Sequence, residues 1–312
     1  MPRIASSTTA GTDHGELTPA SRPGAATDLV LVYVPGKADP VPGASGRAGA
    51  PIGVPAHAEP VSGVGFHGWR WDVPAGDLAG RPDPALLPEA AALAVVPADT
   101  VSAPRKMLVM DVDSTLIRQE VIELLAAHAG REAEVAAVTE AAMRGELDFA
   151  QSLHHRVKAL TGLEVGVVEE VVAAVEPQHG AREVITAFRE AGWEVCAVSG
   201  GFTQVLAPLA DDLGLSRYRA NDLQVEDGRL TGRVTGTVVD RAVKAQMLRA
   251  WSAEAGVSPA GVIAAGDGAN DIDMLQAAGL AVAFCAKPAL REHADVELDL
   301  PTLDVIRVLA GL

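Results

Sequence analysis

From Lys106 onward, short runs dominated by apolar residues alternate with segments of helical periodicity. A strand without polar alternation is buried on both faces, and such strands belong to parallel sheets covered by helices on each side. The runs are Met107–Asp111, Trp193–Ser199, Val262–Gly266 and Leu280–Cys285. Helical periodicity covers about Thr203–Leu213, Asp240–Ala255, Asn270–Ala278 and Thr302–Leu309, so the pattern predicts an α/β fold around a parallel sheet. The stretch LQVEDGRLTGRV departs from this rhythm: its residues alternate about Asp227-Gly228, which predicts a β-hairpin.

The rhythm also breaks from Glu120 to Pro177, where only helical runs occur. Phe149, Leu153, Val157 and Leu160 are spaced four, four and three apart, an apolar stripe on one helix face, and Val168, Val171, Val172 and Val175 gather in another run. An all-helical insert directly after the first strand predicts a cap, about residues 120–185, over the carboxyl edge of the sheet. That edge is where open α/β sheets bind ligands.

At 312 residues the chain exceeds the usual size of one domain. Residues 1–27 are small and polar and predict a disordered tail, since nothing in them offsets the entropy of ordering. Residues 28–104 mix the strand-like run LVLVYV with Pro- and Gly-rich stretches and the aromatic run FHGWRWDV, and read as an accessory region ahead of a main unit over 105–312. Within them GVGFHG, Gly63 to Gly68, has the spacing of a dinucleotide-binding loop. No apolar strand precedes it and strand character follows it, so that function is set aside.

A formal charge of −16 repels nucleic acid and anionic membranes at long range, so neither is an expected partner. No uninterrupted apolar run reaches the roughly 18 residues of a spanning helix. The first residues lack the apolar centre of an export signal, which makes the cytoplasm the expected compartment. Cys196 and Cys285 sit in apolar runs and read as buried thiols rather than a disulfide framework.

The chemistry gathers at strand ends. MLVMDVDSTL delivers Asp111 and Asp113 to the carboxyl end of the first strand, where two anions a few ångströms apart need a cation or a shared proton. Residues i and i+2 of an extended segment point the same way, though either carboxylate can turn aside as the chain leaves the strand. A calcium loop does not fit, because Leu116 and Ile122 stand where its Gly and Glu are required. AVSGG places Ser199, Gly200 and Gly201 at a second strand end, an anion seat at the start of the following helix. AAGDGAND places Asp267, Asn270 and Asp271 at a third, and Lys244 lies on the helix after the hairpin. Singly, these are turn aspartates, helix caps and a solvated lysine.

In this order the motifs resemble the haloacid dehalogenase (HAD) superfamily of phosphotransferases over about Lys106–Leu309. DVDST, VSGG and GDGAND together are similar, more narrowly, to its phosphoserine phosphatase branch. The resemblance implies a HAD-like Rossmannoid parallel sheet with a helical cap inserted after the first strand. It implies Mg²⁺-dependent hydrolysis of O-phospho-L-serine through a phosphoaspartyl intermediate, the closing step of serine biosynthesis. Asp111 is then the nucleophile and Asp113 the general acid and base. The ion is held by Asp111, Asp267 and the backbone carbonyl of Asp113, with Asp271 reaching it through water. Ser199, the Gly200 N–H, Lys244 and Asn270 hold the phosphoryl group. STLIRQE, AMRGELDF and SLHHRV match the positions of Glu120, Met143, Phe149 and Arg156: Glu120 for the substrate ammonium, Arg156 for its carboxylate, Met143 and Phe149 to exclude water. His154 and His155 read as solvated helix residues with no metal.

Two other readings fit the same residues: a phosphatase for another small phosphomonoester, such as phosphohomoserine or a sugar phosphate, and a non-catalytic ligand-sensing regulator. Relatives in the family carry amino-acid-sensing ACT domains ahead of the catalytic core. Here residues 28–104 are too rich in Pro and Gly for a clear β-α-β-β-α-β pattern and are degenerate ACT-like at best, so feedback by serine does not follow. Nothing in the chain fixes the oligomeric state, and a homodimer stays open.

Overall fold

The computed structural model describes residues 26–33, 54–55, 57–74, 92–143 and 148–312, with the side chains of 26–33, 74, 92, 143 and 149 outside the description. The expected tail therefore lies outside the described residues, save its last two positions. Four strands, β1 (Ala26–Tyr33), β2 (Glu59–Gly63), β3 (Phe66–Pro74) and β4 (Ala92–Pro97), pair antiparallel in the order β2-β3-β1-β4. The strand that precedes the Gly63–Gly68 segment is not an apolar one: β2 and β3 are a hairpin, with Gly65 at a φ of +76° in the turn. Of β2 only Val61 is even partly buried, and an edge strand this polar carries no apolar signature.

After helix α1 (Ala98–Ser102), Lys106 fixes the junction with the main unit. Its buried ammonium donates to the carbonyls of Val101 at 2.7 Å and Ala103 at 3.1 Å and lies 4.5 Å from the centre of the Trp193 ring. The main sheet comprises β5 (Met107–Met110), β6 (Glu194–Phe202), β7 (Arg217–Glu226), β8 (Arg229–Thr235), β9 (Val262–Gly266), β10 (Leu280–Phe284) and β11 (Val296–Leu298). Their order is β11-β10-β9-β5-β6-β7-β8, and every pairing is parallel except β7 with β8. The apolar runs are explained by two separate cores: Leu108 and Met110 enter one cluster while Met107 and Val109 enter the other, and β9 divides likewise. Successive residues of a strand face opposite ways, so a strand between two helix layers has no polar face.

The cap consists of α2 (Val121–His128), α3 (Glu132–Met143), α4 (Phe149–Lys158) and α5 (Gly166–Ala174), placed between β5 and α6 (Ala181–Glu190). Its entry and exit run side by side through a bridge between Ile117 and Pro177 and a hydrogen bond from Gln178 N–H to the Leu116 carbonyl at 2.8 Å. The loop between α4 and α5 is held by the β7–β8 hairpin: Gly162 N–H donates to the Leu230 carbonyl and Leu230 N–H to the Leu163 carbonyl, each at 2.8 Å. Asp227 and Gly228 take φ of 49° and 73° in the hairpin turn, as the alternation predicted.

The helices that cover the sheet are α6, α7 (Thr203–Leu213), α8 (Arg241–Glu254), α9 (Ile272–Gln276), α10 (Pro288–Arg291) and α11 (Val305–Leu309). Several expectations need correction. The Ser-Gly-Gly motif closes β6 rather than opening α7, which starts at Thr203. The helices expected from Asn270 and Thr302 begin at Ile272 and Val305. β7 is more than a hairpin arm, because it also pairs parallel with β6. Cys285 is exposed just beyond β10, at a φ of +44°, and is no buried thiol. Cys196 is buried, and burial pushes its thiol up to about 12. Among the described residues no helix is long and apolar enough to cross a membrane.

Candidate active site

The Asp111 N–H still belongs to the sheet, donating to the Ala265 carbonyl at 2.9 Å. The chain then makes one wide turn over Val112–Leu116, closed by Ile117 N–H on the Val112 carbonyl at 3.0 Å, with Ser114 left-handed at a φ of 56°. This turn gives the two carboxylates different partners. Asp111 faces the core: its Oδ1 accepts from Val112 N–H at 2.7 Å and lies 2.7 Å from Lys244 Nζ, and its Oδ2 accepts from Asn270 Nδ2 at 3.3 Å. Asp113 faces the cap: its Oδ1 accepts from the Val121 N–H at the start of α2 at 2.7 Å, and its Oδ2 from Ser199 Oγ at 3.1 Å. Ser199 in turn accepts from the Gly201 N–H at 2.7 Å. A Cβ at position 201 would lie 2.8 Å from Asp113 Oδ2, so the close approach of β6 to this carboxylate requires glycine.

Lys244 has no exposed surface and lies between two acids, 2.7 Å from Asp111 Oδ1 and 2.7 Å from Asp271 Oδ1. It is no solvated lysine. Burial alone would favour its neutral form; the two carboxylates outweigh burial and raise its pKa above the ordinary value. Asp271 Oδ2 accepts from the N–H groups of Asp267 and Gly268, both at 3.2 Å. Burial, then the charge of Asp111, pushes Asp271 up to about 7. The same two causes raise Asp113, and burial followed by Asp271 raises Asp267 well above the carboxylate range. The cluster thus holds more negative charge than Lys244 balances.

Asp111, Asp267 and Asp271 each offer an oxygen within 4.8 Å of the others. Asp267 Oδ1 and Asn270 Oδ1 are buried with no hydrogen-bond partner among the described residues. An all-oxygen donor set carrying orphaned buried oxygens and surplus negative charge suits a hard divalent cation.

The cap closes the other side of the cavity. Asp111, Asp113, Gly200, Gly201 and Asn270 line it from the core, and Glu120, Ile122, Thr139, Ala142, Leu153 and Arg156 from the cap. Glu120 Oε1 accepts from Ser114 Oγ at 2.7 Å, and burial, then Asp113, raises its pKa well above normal. Arg156, 5% exposed, donates from Nε to the Ser152 carbonyl at 3.3 Å and from Nη1 to Thr139 Oγ1 at 3.1 Å. The chain thereby brings together Asp111, Asp113, Glu120, Arg156, Ser199, Gly200, Lys244, Asp267, Asn270 and Asp271. The side chains of Met143 and Phe149 lie outside the described residues. His154 and His155 are on the exposed face of α4.

Sequence reasoning missed four contributors. Ser114 stands inside the DVDST motif, yet only its backbone conformation turns it toward Glu120. Thr139 is one more small residue in a helix. Asn221, on β7, donates from Nδ2 to the Gly200 carbonyl at 2.8 Å and accepts from Val239 N–H at 2.8 Å, fixing the end of β6 beside Ser199. Lys287 follows β10, its Nζ 3.6 Å from Asp267 Oδ2 and 3.5 Å from Glu140 Oε2 on the cap.

The model of the haloacid dehalogenase-like hydrolase family matches residues 108–276. A phosphoserine phosphatase of Streptomyces coelicolor is 56% identical over 232 residues, covering 73% of this chain and 57% of that protein; this chain thus spans little more than half its length. A phosphoserine phosphatase of Streptococcus thermophilus is 46% identical over 210 residues, 67% of this chain and 98% of that protein. A solved structure described as a phospho-aspartyl intermediate analogue of phosphoserine phosphatase superposes with a TM-score of 0.63 at 41% identity, covering 65% of this chain and 97% of its own.

Proposed function

The chain belongs to the haloacid dehalogenase-like hydrolases, and we propose that within this family it is a Mg²⁺-dependent phosphoserine phosphatase acting in the cytoplasm. The observation that carries the reading is one cavity joining the Asp111–Asp113 pair of the core to an acid, Glu120, and a base, Arg156, of the cap. A phosphomonoester that also bears an ammonium and a carboxylate matches all of these groups. The phosphoserine phosphatases to which the chain is similar support the same substrate.

Asp111 attacks phosphorus, and the bond from phosphorus to the serine oxygen breaks. Asp113, whose burial shifts it toward the protonated form, protonates that leaving oxygen. Water then attacks the phosphoaspartate, Asp113 takes a proton from it, and phosphate and free Asp111 result. Ser199 Oγ, the Gly200 N–H and Lys244 meet the charge on the transferring phosphoryl oxygens. Asp111, Asp267 and the Asp113 carbonyl would hold the ion, with Asp271 behind them, and the ion's contribution is to neutralise charge on the phosphoryl group. At the far end, burial and the charge of Asp113 shift Glu120 toward its neutral form, and an arriving ammonium acts in the opposite direction, favouring the carboxylate.

Phosphate release from O-phosphoserine, phosphohomoserine, a sugar phosphate and an aryl phosphate, with and without Mg²⁺, tests the proposal. The expected result is the highest kcat/KM on O-phosphoserine, and only with the ion. A higher value on the sugar phosphate overturns the substrate assignment, and no turnover on any of them points to the regulator.

A further inference from the structure

Thr139 sits on α3 in the cap, 2% exposed, facing α4. Its hydroxyl has one proton, and that proton is donated to the Val135 carbonyl one helical turn back, at 3.0 Å. The oxygen can therefore meet Arg156 Nη1, 3.1 Å away, only as an acceptor. Arg156 is tied at a second point, since its Nε donates to the Ser152 carbonyl of its own helix at 3.3 Å. A guanidinium anchored through Nε to one helix and through Nη1 to another has its plane fixed before any ligand arrives. Ile122, Ala142 and Leu153 form apolar walls of the cavity in which the guanidinium lies, so each acceptor it finds weighs heavily on its orientation.

We infer that Thr139 is a positioning residue for substrate selection: by holding Nη1 of Arg156, it aims the guanidinium at the substrate's carboxylate and so separates phosphorylated amino acids from phosphorylated amines. The inference rests on the reading of the cavity as a phosphoserine site. The hydrogen bonds of Thr139 run to Val135 and Arg156, both in the cap, so its effect falls on recognition. Binding that orients the ground state and transition state alike appears in KM rather than in kcat.

Thr139→Val keeps the shape of the side chain and removes the acceptor; Thr139→Ser restores the hydroxyl. Each full-length variant is assayed with Mg²⁺ on O-phosphoserine and on O-phosphoethanolamine, which keeps the phosphate and ammonium but lacks the carboxylate. Thr139→Val is expected to raise KM for O-phosphoserine by about tenfold, the scale of one lost charge-assisted hydrogen bond, with kcat changed by less than about twofold. Turnover of O-phosphoethanolamine should change by less than about twofold, which also certifies the fold, and Thr139→Ser should recover the wild-type KM. Equal losses on both substrates, or an unchanged KM for O-phosphoserine, overturn the inference. Wild-type protein that does not prefer O-phosphoserine to O-phosphoethanolamine refutes the phosphoserine reading and this inference with it, an outcome visible before any variant is made.

Discussion

Lys244 and Asp271 form an ion pair of 2.7 Å in which neither side chain has exposed surface. Truncating one partner of such a pair leaves the other buried and unpaired, a loss of about 3–5 kcal/mol. Lys244→Met should therefore unfold at markedly lower urea concentration than the wild type. Added Mg²⁺ should recover part of the difference, because the ion replaces some of the lost positive charge. An unchanged urea midpoint would contradict a buried charge balance.

Two acids of this cluster, Asp267 and Asp271, have their pKa values raised on folding, Asp271 to about 7 from an ordinary value of 3.8. A carboxyl raised by folding binds its proton more tightly in the native state. Its contribution to stability is complete below its unfolded value and is lost as pH rises through its folded value. Protein stripped of metal by a chelator should accordingly lose thermal stability between about pH 4 and pH 7. Mg²⁺ should flatten that slope by favouring the ionised acids. Melting curves over this range, with EDTA and with Mg²⁺, make the comparison.

Asp111→Asn removes the charge of the proposed nucleophile at nearly constant shape. Far-UV circular dichroism should match the wild type, while phosphate release falls by at least about 10⁴-fold. A variant with near-normal turnover would remove Asp111 from the nucleophile's role.

Arg156 is buried where a carboxylate can meet it, and loss of one partner of a desolvated charge pair costs about 2–5 kcal/mol. Arg156→Ala should lower kcat/KM for O-phosphoserine roughly 30-fold or more, yet leave an aryl phosphate within a few-fold of wild type. Equal losses on the two substrates would mean that Arg156 supports the cap rather than reads the substrate.

Much of the architecture is legible in the sequence. β5 and β9 announce themselves because both of their faces are buried, so a local run of apolar residues reports a tertiary fact. β11 spans only Val296–Leu298, and β2 is an exposed edge strand, so neither leaves a comparable trace. The strand-end motifs identified Asp111, Asp113, Ser199, Asp267 and Asp271 because a parallel sheet collects its carboxyl ends in one crevice.

By itself, then, the sequence determined the alternation of strand and helix, the helical insert and the residue types delivered to the crevice, all properties of short segments. Tertiary structure alone decided that Asp113 turns to the cap while Asp111 turns to Lys244, that Lys244 is buried rather than solvated, and that Thr139 accepts from Arg156. The physical reason is that burial periodicity is set by each residue's immediate neighbours in the chain. Desolvation and Coulomb interactions instead depend on distances between side chains that meet only after folding.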